Sequence, residues 1–355
     1  MADSEITIIG GGLAGLATAY FLKKEGYSST IIEARDRLGG RIHTLRKEGE
    51  APIEMGATWL GKKHKHLINL LEELDIGIYE QYMGEKAYYE PISTSPPQLV
   101  TLPVNEDPTY RIEGGTSNLI HTLAKILDQA KIILGDAVES IQRKEDAITI
   151  RSAENNFKTD VVISTLPPKL LAETITFDPS LPDALIETAL NTHTWMSESI
   201  KIGLSYSKPF WQNKHSSGTI MSNVGPVTEM YDHSNRERSL FALKGFMNEA
   251  YHAVSKEKRI ELVMNQLTQL YGDKARSFLS YLETVWKHEP YTYSSYDGYV
   301  IPHQNNGHSL FDKDYWDGQL LIGGSETANA FPGYMDGAVE SALNIARKLS
   351  NVNLK

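Results

Sequence analysis

The chain has 355 residues, 41% of them hydrophobic, with a formal net charge of −10 and a pI near 5.6, enough apolar material for a sizeable core and about two domains. The acidic balance, with no basic stretch interleaved with aromatics, argues against nucleic acid as a partner. The absence of cysteine excludes disulfides, thiolate metal sites, thiol nucleophiles and cysteine-linked prosthetic groups, and no metal is expected.

The amino terminus "MADSEITIIGGG" enters a strand almost at once. No apolar run reaches the length needed to span a bilayer, so a soluble, cytoplasmic protein is expected, with no membrane contact. Ile6–Ile9 is β-branched and predicts a strand, Leu13–Glu25 a helix, and Thr30–Glu33 a second strand, a βαβ opening. Leu67, Leu70, Leu71 and Leu74 recur at helical spacing over 66–74. The five prolines of 91–108 leave room only for loop and short edge strands. Residues 116–129 predict a helix with Leu119, Ile120, Leu123, Ile126 and Leu127 on one face. Strand-like pieces follow up to "DVVISTL", and the "PPK" of 167–169 breaks the series. A strand is expected over 199–206, a long helix over 256–271, a last strand at 320–323 and a closing helix after Gly333. Interleaved strands and helices make this an α/β protein.

"IIGGGLAGLATAY" places Gly10, Gly12 and Gly15 between a strand and a helix. The first glycine allows a tight turn, the second lets a pyrophosphate approach the backbone, and the third lets helix pack on strand. Free N–H groups and the helix dipole then favour phosphate. Glu33 ends the second strand where a carboxylate accepts the ribose hydroxyls of an adenosine. Dinucleotide binding follows from strand, turn, helix and acid together. Downstream, "EARDRLGGRIHT" adds a second glycine turn at Gly39-Gly40 and a rigid guanidinium donor at Arg41.

This opening resembles the flavin-containing amine oxidases, a branch of the large FAD family shared with glutathione reductase-like enzymes. The resemblance extends through "MGATWLG", "YRIEGGTSNLIHTLA", "VVISTLPP", "ESIKIGLSYSKPFW" and "LLIGGSETANAFPGYMDGAVESALNIARKL", five segments in the family's order. It implies a Rossmann-like, three-layer FAD-binding domain of glutathione reductase type over 1–78, 113–172 and 290–355. A substrate domain on a mixed, mainly antiparallel sheet is implied over 79–112 and 173–289. It implies FAD contacts from Gly10, Gly12, Ala14, Gly15, Glu33, Ala34, Arg35, Gly40 and Arg41. Further contacts are implied from Gly56, Ala57, Thr58, Trp59, Val138, Trp286, Gly324, Ser325, Glu326, Gly333, Tyr334 and Met335. By the same resemblance, the helix start at 333–335 faces the pyrimidine end of the flavin ring. A helix N-terminus stabilises reduced flavin's negative charge there by roughly 0.3–2 kcal/mol, a modest assistance to the chemistry.

Alternation alone makes Lys201 a solvated lysine on a strand face. The resemblance instead aims it at flavin N5 through a water, where it assists the reaction with oxygen. Counting without gaps from Trp286, Tyr296 takes one place of the family's aromatic cage and Tyr334 the other. Ser295 falls where monoamine oxidases link FAD through cysteine, so dissociable, non-covalent FAD is expected. Only 60–112 stands where the family carries a long helical insertion that roofs the site. A reduced lid follows, leaving the flavin face open to a small or carrier-bound amine, or covered by a partner or a homodimer. The implied reaction is oxidation of an amine to an imine, with O2 reduced to hydrogen peroxide. An L-amino-acid oxidase, a flavin desaturase, and a non-catalytic FAD scaffold are the competing readings.

Overall fold

Five short apolar runs form one parallel sheet in the order Leu320–Ile322, Val161–Ser164, Ile6–Ile9, Ser29–Glu33, Lys131–Leu134. The computed structural model describes residues 5–127, 131–144, 147–212 and 216–352. Both faces of this sheet are buried, which is why its strands read as continuous β-branched runs. Ile8, Ile31, Ile163 and Leu321 face one side, packing with helices Leu13–Lys24 and Met335–Val352. Ile9, Ile32, Val162 and Ile322 face the other, against Ile141, Ile148 and Ile150 of a four-stranded sheet built from 138–159 and 176–178. Helices, parallel sheet and second sheet make the expected three layers.

A seven-stranded sheet stands beside them, in the order Phe278–Val285, Ile200–Tyr206, Phe241–Met247, Val227–Asp232, Ile220–Ser222, Lys86–Glu90, Gln98–Thr101. All its pairings are antiparallel except that of 220–222 with 86–90. Helix Lys256–Tyr271, capped by the Ser255 hydroxyl, covers one face with Val263, Met264, Leu267 and Leu270. Ile200, Ile202 and Leu204 meet it there. The opposite face of the same strand is also buried, because Ala51, Ile53 and Met55 lie across it. That second cover corrects the alternation reading of Lys201, which is buried rather than solvated.

Within the proline-rich region of 91–108 the one strand is the edge strand Gln98–Thr101, which pairs with Lys86–Glu90 just before it; the short strand Tyr110–Ile112 follows. Pro168 does not simply break the chain: it opens helix Pro168–Thr174 at a position where its missing N–H costs nothing. Helix Asp183–Leu190 is a further element that the sequence reading lacked. The carboxyl end of the expected helix over 116–129 lies outside the described residues; the helix runs Ser117–Ile126. Among the described residues, no helix is long and apolar enough to cross a membrane.

Candidate active site

A cavity of about 590 Å³ with a mostly apolar wall lies between the parallel sheet and the seven-stranded sheet. Gly10, Gly12 and Ala14 line it at the start of helix Leu13–Lys24, whose first N–H groups have no side-chain cap. Gly15 sits just behind. A Cβ there would come within 2.0 Å of the Gly10 carbonyl oxygen, so only glycine lets the helix seat on the turn. Glu33 is buried in the wall and accepts from the N–H groups of Gly11 at 2.7 Å and Arg35 at 2.9 Å. Ala34, Arg35 and Val138 continue the lining, and the Arg35 guanidinium donates to Thr292 Oγ1 at 2.8 Å.

The segment 56–59 crosses the middle of the cavity, and all four of its residues line it. Gly56 lies against Arg41, where a Cβ would stand 2.0 Å from the Arg41 carbonyl oxygen. Trp286 lines the wall and donates its indole N–H to the Met55 carbonyl at 2.8 Å. Arg41 reaches the cavity, but its fork is engaged by Glu326 (2.5 and 2.8 Å), by Ser325 Oγ at 2.8 Å and by the Trp195 carbonyl at 3.2 Å. Glu326 is itself fully buried, and it lies outside the lining, as do Gly15, Gly40 and Gly324. Glu326 is therefore the counter-ion of Arg41. Burial opposes both charges, and their mutual attraction outweighs it, raising Arg41 and lowering Glu326.

Lys201 projects from its strand into the cavity wall, 5% exposed, and donates to the Gly56 carbonyl at 2.6 Å. Burial pulls its pKa down to about 7 against the opposing pull of Glu54. A second lysine, missed in the sequence reading, lies beside it. Lys244 pairs across the sheet with Gly203, one position diagonal to Lys201. It is fully buried, with Nζ on Thr58 Oγ1 and 4.1 Å from the centre of a Trp59 ring. Its signal was legible: one lysine inside the apolar strand "FALKGFM". Burial, then the neighbouring Lys201, push it well below an ordinary lysine. Glu54, hydrogen-bonded to His233 with Arg111 at 3.8 Å, is the carboxylate nearest this cluster; burial raises its pKa, but those partners hold it at about 2.

Tyr334, 38% exposed, lines the cavity with Gly333 and Met335 at the start of the last helix. The Asp of that first turn, Asp336, points away and accepts the Leu67 N–H of another helix at 2.8 Å. Tyr296 does not face Tyr334, which corrects the expected pairing. Its hydroxyl accepts the Thr194 N–H at 2.9 Å and donates to the Thr192 carbonyl at 3.2 Å, and its ring is outside the lining. The turn after Trp286 delivers the ring to the 192–194 loop, which counting residues could not show. The rings beside Tyr334 are Trp195, at 5.7 Å between centroids, and His303, stacked at 5.9 Å and 11°. Trp195 and His303 themselves stack at 4.1 Å. Trp195, Met196 and Phe246 are cavity residues that the sequence reading did not single out.

The donor set fits FAD. Two glycine turns meet backbone to backbone at Gly12 and Gly39, a helix start has uncapped N–H groups, and a buried carboxylate ends the second strand. Ser295 is exposed and outside the lining, so no thiol is placed to bond the cofactor. Residues 80–112 contribute nothing to this cavity. They line instead a separate cavity of about 990 Å³ with Arg111, Asp232 and Arg238.

Comparison with known proteins agrees with this geometry. The family model described as flavin containing amine oxidoreductase matches residues 13–91 and 92–350. The chain is similar to a probable flavin-containing monoamine oxidase A of Dictyostelium discoideum, 24% identical over 98% of this chain and 97% of that one. It is also similar to the human flavin-containing amine oxidase B, 23% identical over 97% of this chain and 86% of that one. Among solved structures it superposes on wild-type putrescine oxidase bound to putrescine with a TM-score of 0.84, at 22% identity and 98% coverage of both chains. Cyclohexylamine oxidase from Brevibacterium oxydans gives 0.85, at 18% identity, covering 99% of this chain and 100% of that one.

Proposed function

Because this chain belongs to the flavin-containing amine oxidoreductase family, we propose that it oxidises a small primary or secondary amine to an imine with non-covalent FAD and O2. The observation that carries this reading is the single cavity joining the dinucleotide-type turn to a buried lysine and an aromatic wall. When bound, FAD takes a hydride equivalent from the carbon beside the amine nitrogen and passes the electrons to oxygen, giving hydrogen peroxide.

The chain's own residues supply holding, orientation and charge. Gly10, Gly12 and the helix start take the pyrophosphate, and Glu33 takes the adenosine ribose. Arg41 is fixed by Glu326, so its remaining surface meets the cofactor without reorganising. Gly56–Trp59 and Met335, which line the same cavity, would border the flavin ring. Lys201, a fixed donor in a dry wall, stabilises negative charge developing on oxygen. Trp195 and Tyr334 take the place given to Tyr296 and Tyr334 by residue counting. The dry wall they form, rather than the ring faces themselves, favours an uncharged amine.

The FAD-binding part is read as 1–78, 113–172 and 290–355, and the substrate part as 79–112 and 173–289, a division supported by the separate sheets. A reduced lid is supported by the placing of 80–112 at a sheet edge. The alignment with the Dictyostelium protein spans 452 positions, so that relative carries segments with no counterpart in these 355 residues.

In air, the FAD-loaded protein is expected to consume oxygen and form peroxide with members of a panel of primary, secondary and polyamines. Peroxide from L-amino acids alone would move the reading to an amino-acid oxidase. No peroxide from any of them would contradict both.

A further inference from the structure

The amine reading leaves one buried nucleophile unused. Lys244 is fully enclosed, yet one hydrogen bond separates it from the cavity: its Nζ contacts Thr58 Oγ1, and Thr58 lines the cavity wall. The contact is not incidental to the packing. Lys244 Nζ lies over Trp59 at 4.1 Å and 5.2 Å from the Phe246 ring centre, two faces that suit an ammonium. Thr58 donates to the Gly56 carbonyl at 3.1 Å, the same oxygen that receives Lys201 Nζ at 2.6 Å. The wall segment 56–58 thus joins both lysines.

Alkyl amines arrive in water as ammonium ions, and only the neutral amine can give up a hydride equivalent. A proton must therefore leave each substrate before it is oxidised. We propose that Thr58 and Lys244 form the proton exit of this site, with Thr58 passing the substrate ammonium's proton on to Lys244 Nζ. The step balances once the Thr58 hydroxyl turns from the Gly56 carbonyl toward Lys244: the substrate N–H proton moves to Thr58 Oγ1 as the Thr58 hydroxyl proton moves to Lys244 Nζ. A neutral amine and a Lys244 ammonium result, and the ammonium returns its proton to solvent as product leaves. The inference rests on the amine-oxidase reading.

The charges around Lys244 fit that cycle. Burial, then Lys201 on the adjacent strand and Arg111, push Lys244 well below an ordinary lysine and so disfavour a resting charge there. Glu54 and Glu229 favour the transient ammonium. His233, pushed down to about 4 by burial and then by Arg111, stays uncharged and does not compete. Tyr231, packed edge-on to Trp59, is raised far above neutrality and remains a phenol. Lys201 lines the cavity too, but its Nζ is committed to the Gly56 carbonyl and it has no hydroxyl relay.

The test follows anaerobic flavin reduction by an amine that bleaches the wild type, benzylamine first, from pH about 6 to about 10. Lys244→Met is expected to slow reduction at least tenfold near neutral pH while retaining FAD. The loss should shrink about tenfold per pH unit toward the substrate's own pKa, where the amine arrives neutral. Thr58→Val, which leaves the lysine in place, should give the same alkaline rescue. Independently of turnover, 15N-lysine NMR should show a neutral amine signal at pH about 7.5 that disappears in Lys244→Met. A Lys244→Met profile parallel to wild type, or the loss of an ammonium signal rather than a neutral one in Lys244→Met at that pH, would overturn the proposal. If no amine reduces the wild type, the amine-oxidase reading itself fails, and the proton exit with it.

Discussion

Lys201→Met is expected to slow reoxidation of the reduced enzyme by O2 on the order of a hundredfold, with FAD still bound. The reason is local. The ammonium is held in a dry wall by the Gly56 carbonyl, so its field is not screened by water. Burial brings its pKa to about 7, against the pull of Glu54. A lysine lowered in this way is charged below that value and neutral above it. The reoxidation rate of the wild type should therefore fall as pH rises through about 7, and the variant should show no such limb. Stopped-flow mixing of the reduced protein with oxygenated buffer reads both quantities. An unchanged rate in the variant would remove Lys201 from the oxygen reaction.

Glu326→Leu is expected to destabilise the fold by about 3–5 kcal/mol, because it strands the Arg41 guanidinium in the protein without its counter-ion. The carboxylate accepts both forks of Arg41, the Ser325 hydroxyl at 2.8 Å and the Trp195 N–H at 3.3 Å. One residue therefore ties the second glycine turn to the last helix region and to the aromatic wall. The double variant Arg41→Met with Glu326→Leu should recover much of that stability, since a buried pair replaced by apolar groups of similar size costs little. It should not recover FAD affinity, because Arg41 faces the cofactor cavity. Urea unfolding of the three proteins, with FAD content measured alongside, checks this. Equal stability of the single variant and wild type would contradict the role given to the pair.

How much could be read in advance depended on whether the cause was local. The βαβ opening, the glycine turn and Glu33 were legible because their geometry is set within a few dozen residues. The pattern of residues supported only an α/β class; the three-layer architecture was implied by the family resemblance alone. Lys201 was drawn to attention only by that resemblance. Its burial depends on Ile53, distant in sequence, whose Cγ2 lies 2.4 Å from where a Cβ on Gly203 would be. Tyr296 shows the opposite failure. Its sequence position was counted from an intact landmark at Trp286, but counting gives no side-chain direction, and the ring serves the 192–194 loop. Lys244 was present as an anomaly in an apolar strand and was passed over. Trp195 lies in "TWMSES", which carries no pattern of its own; Glu326 and Arg41 place it.

The most direct measurement is the visible spectrum of the FAD-loaded protein, recorded without oxygen before and after adding each amine. The account predicts that the flavin band bleaches with at least one small primary or secondary amine and returns on admitting air. A bound flavin that no amine reduces would contradict it.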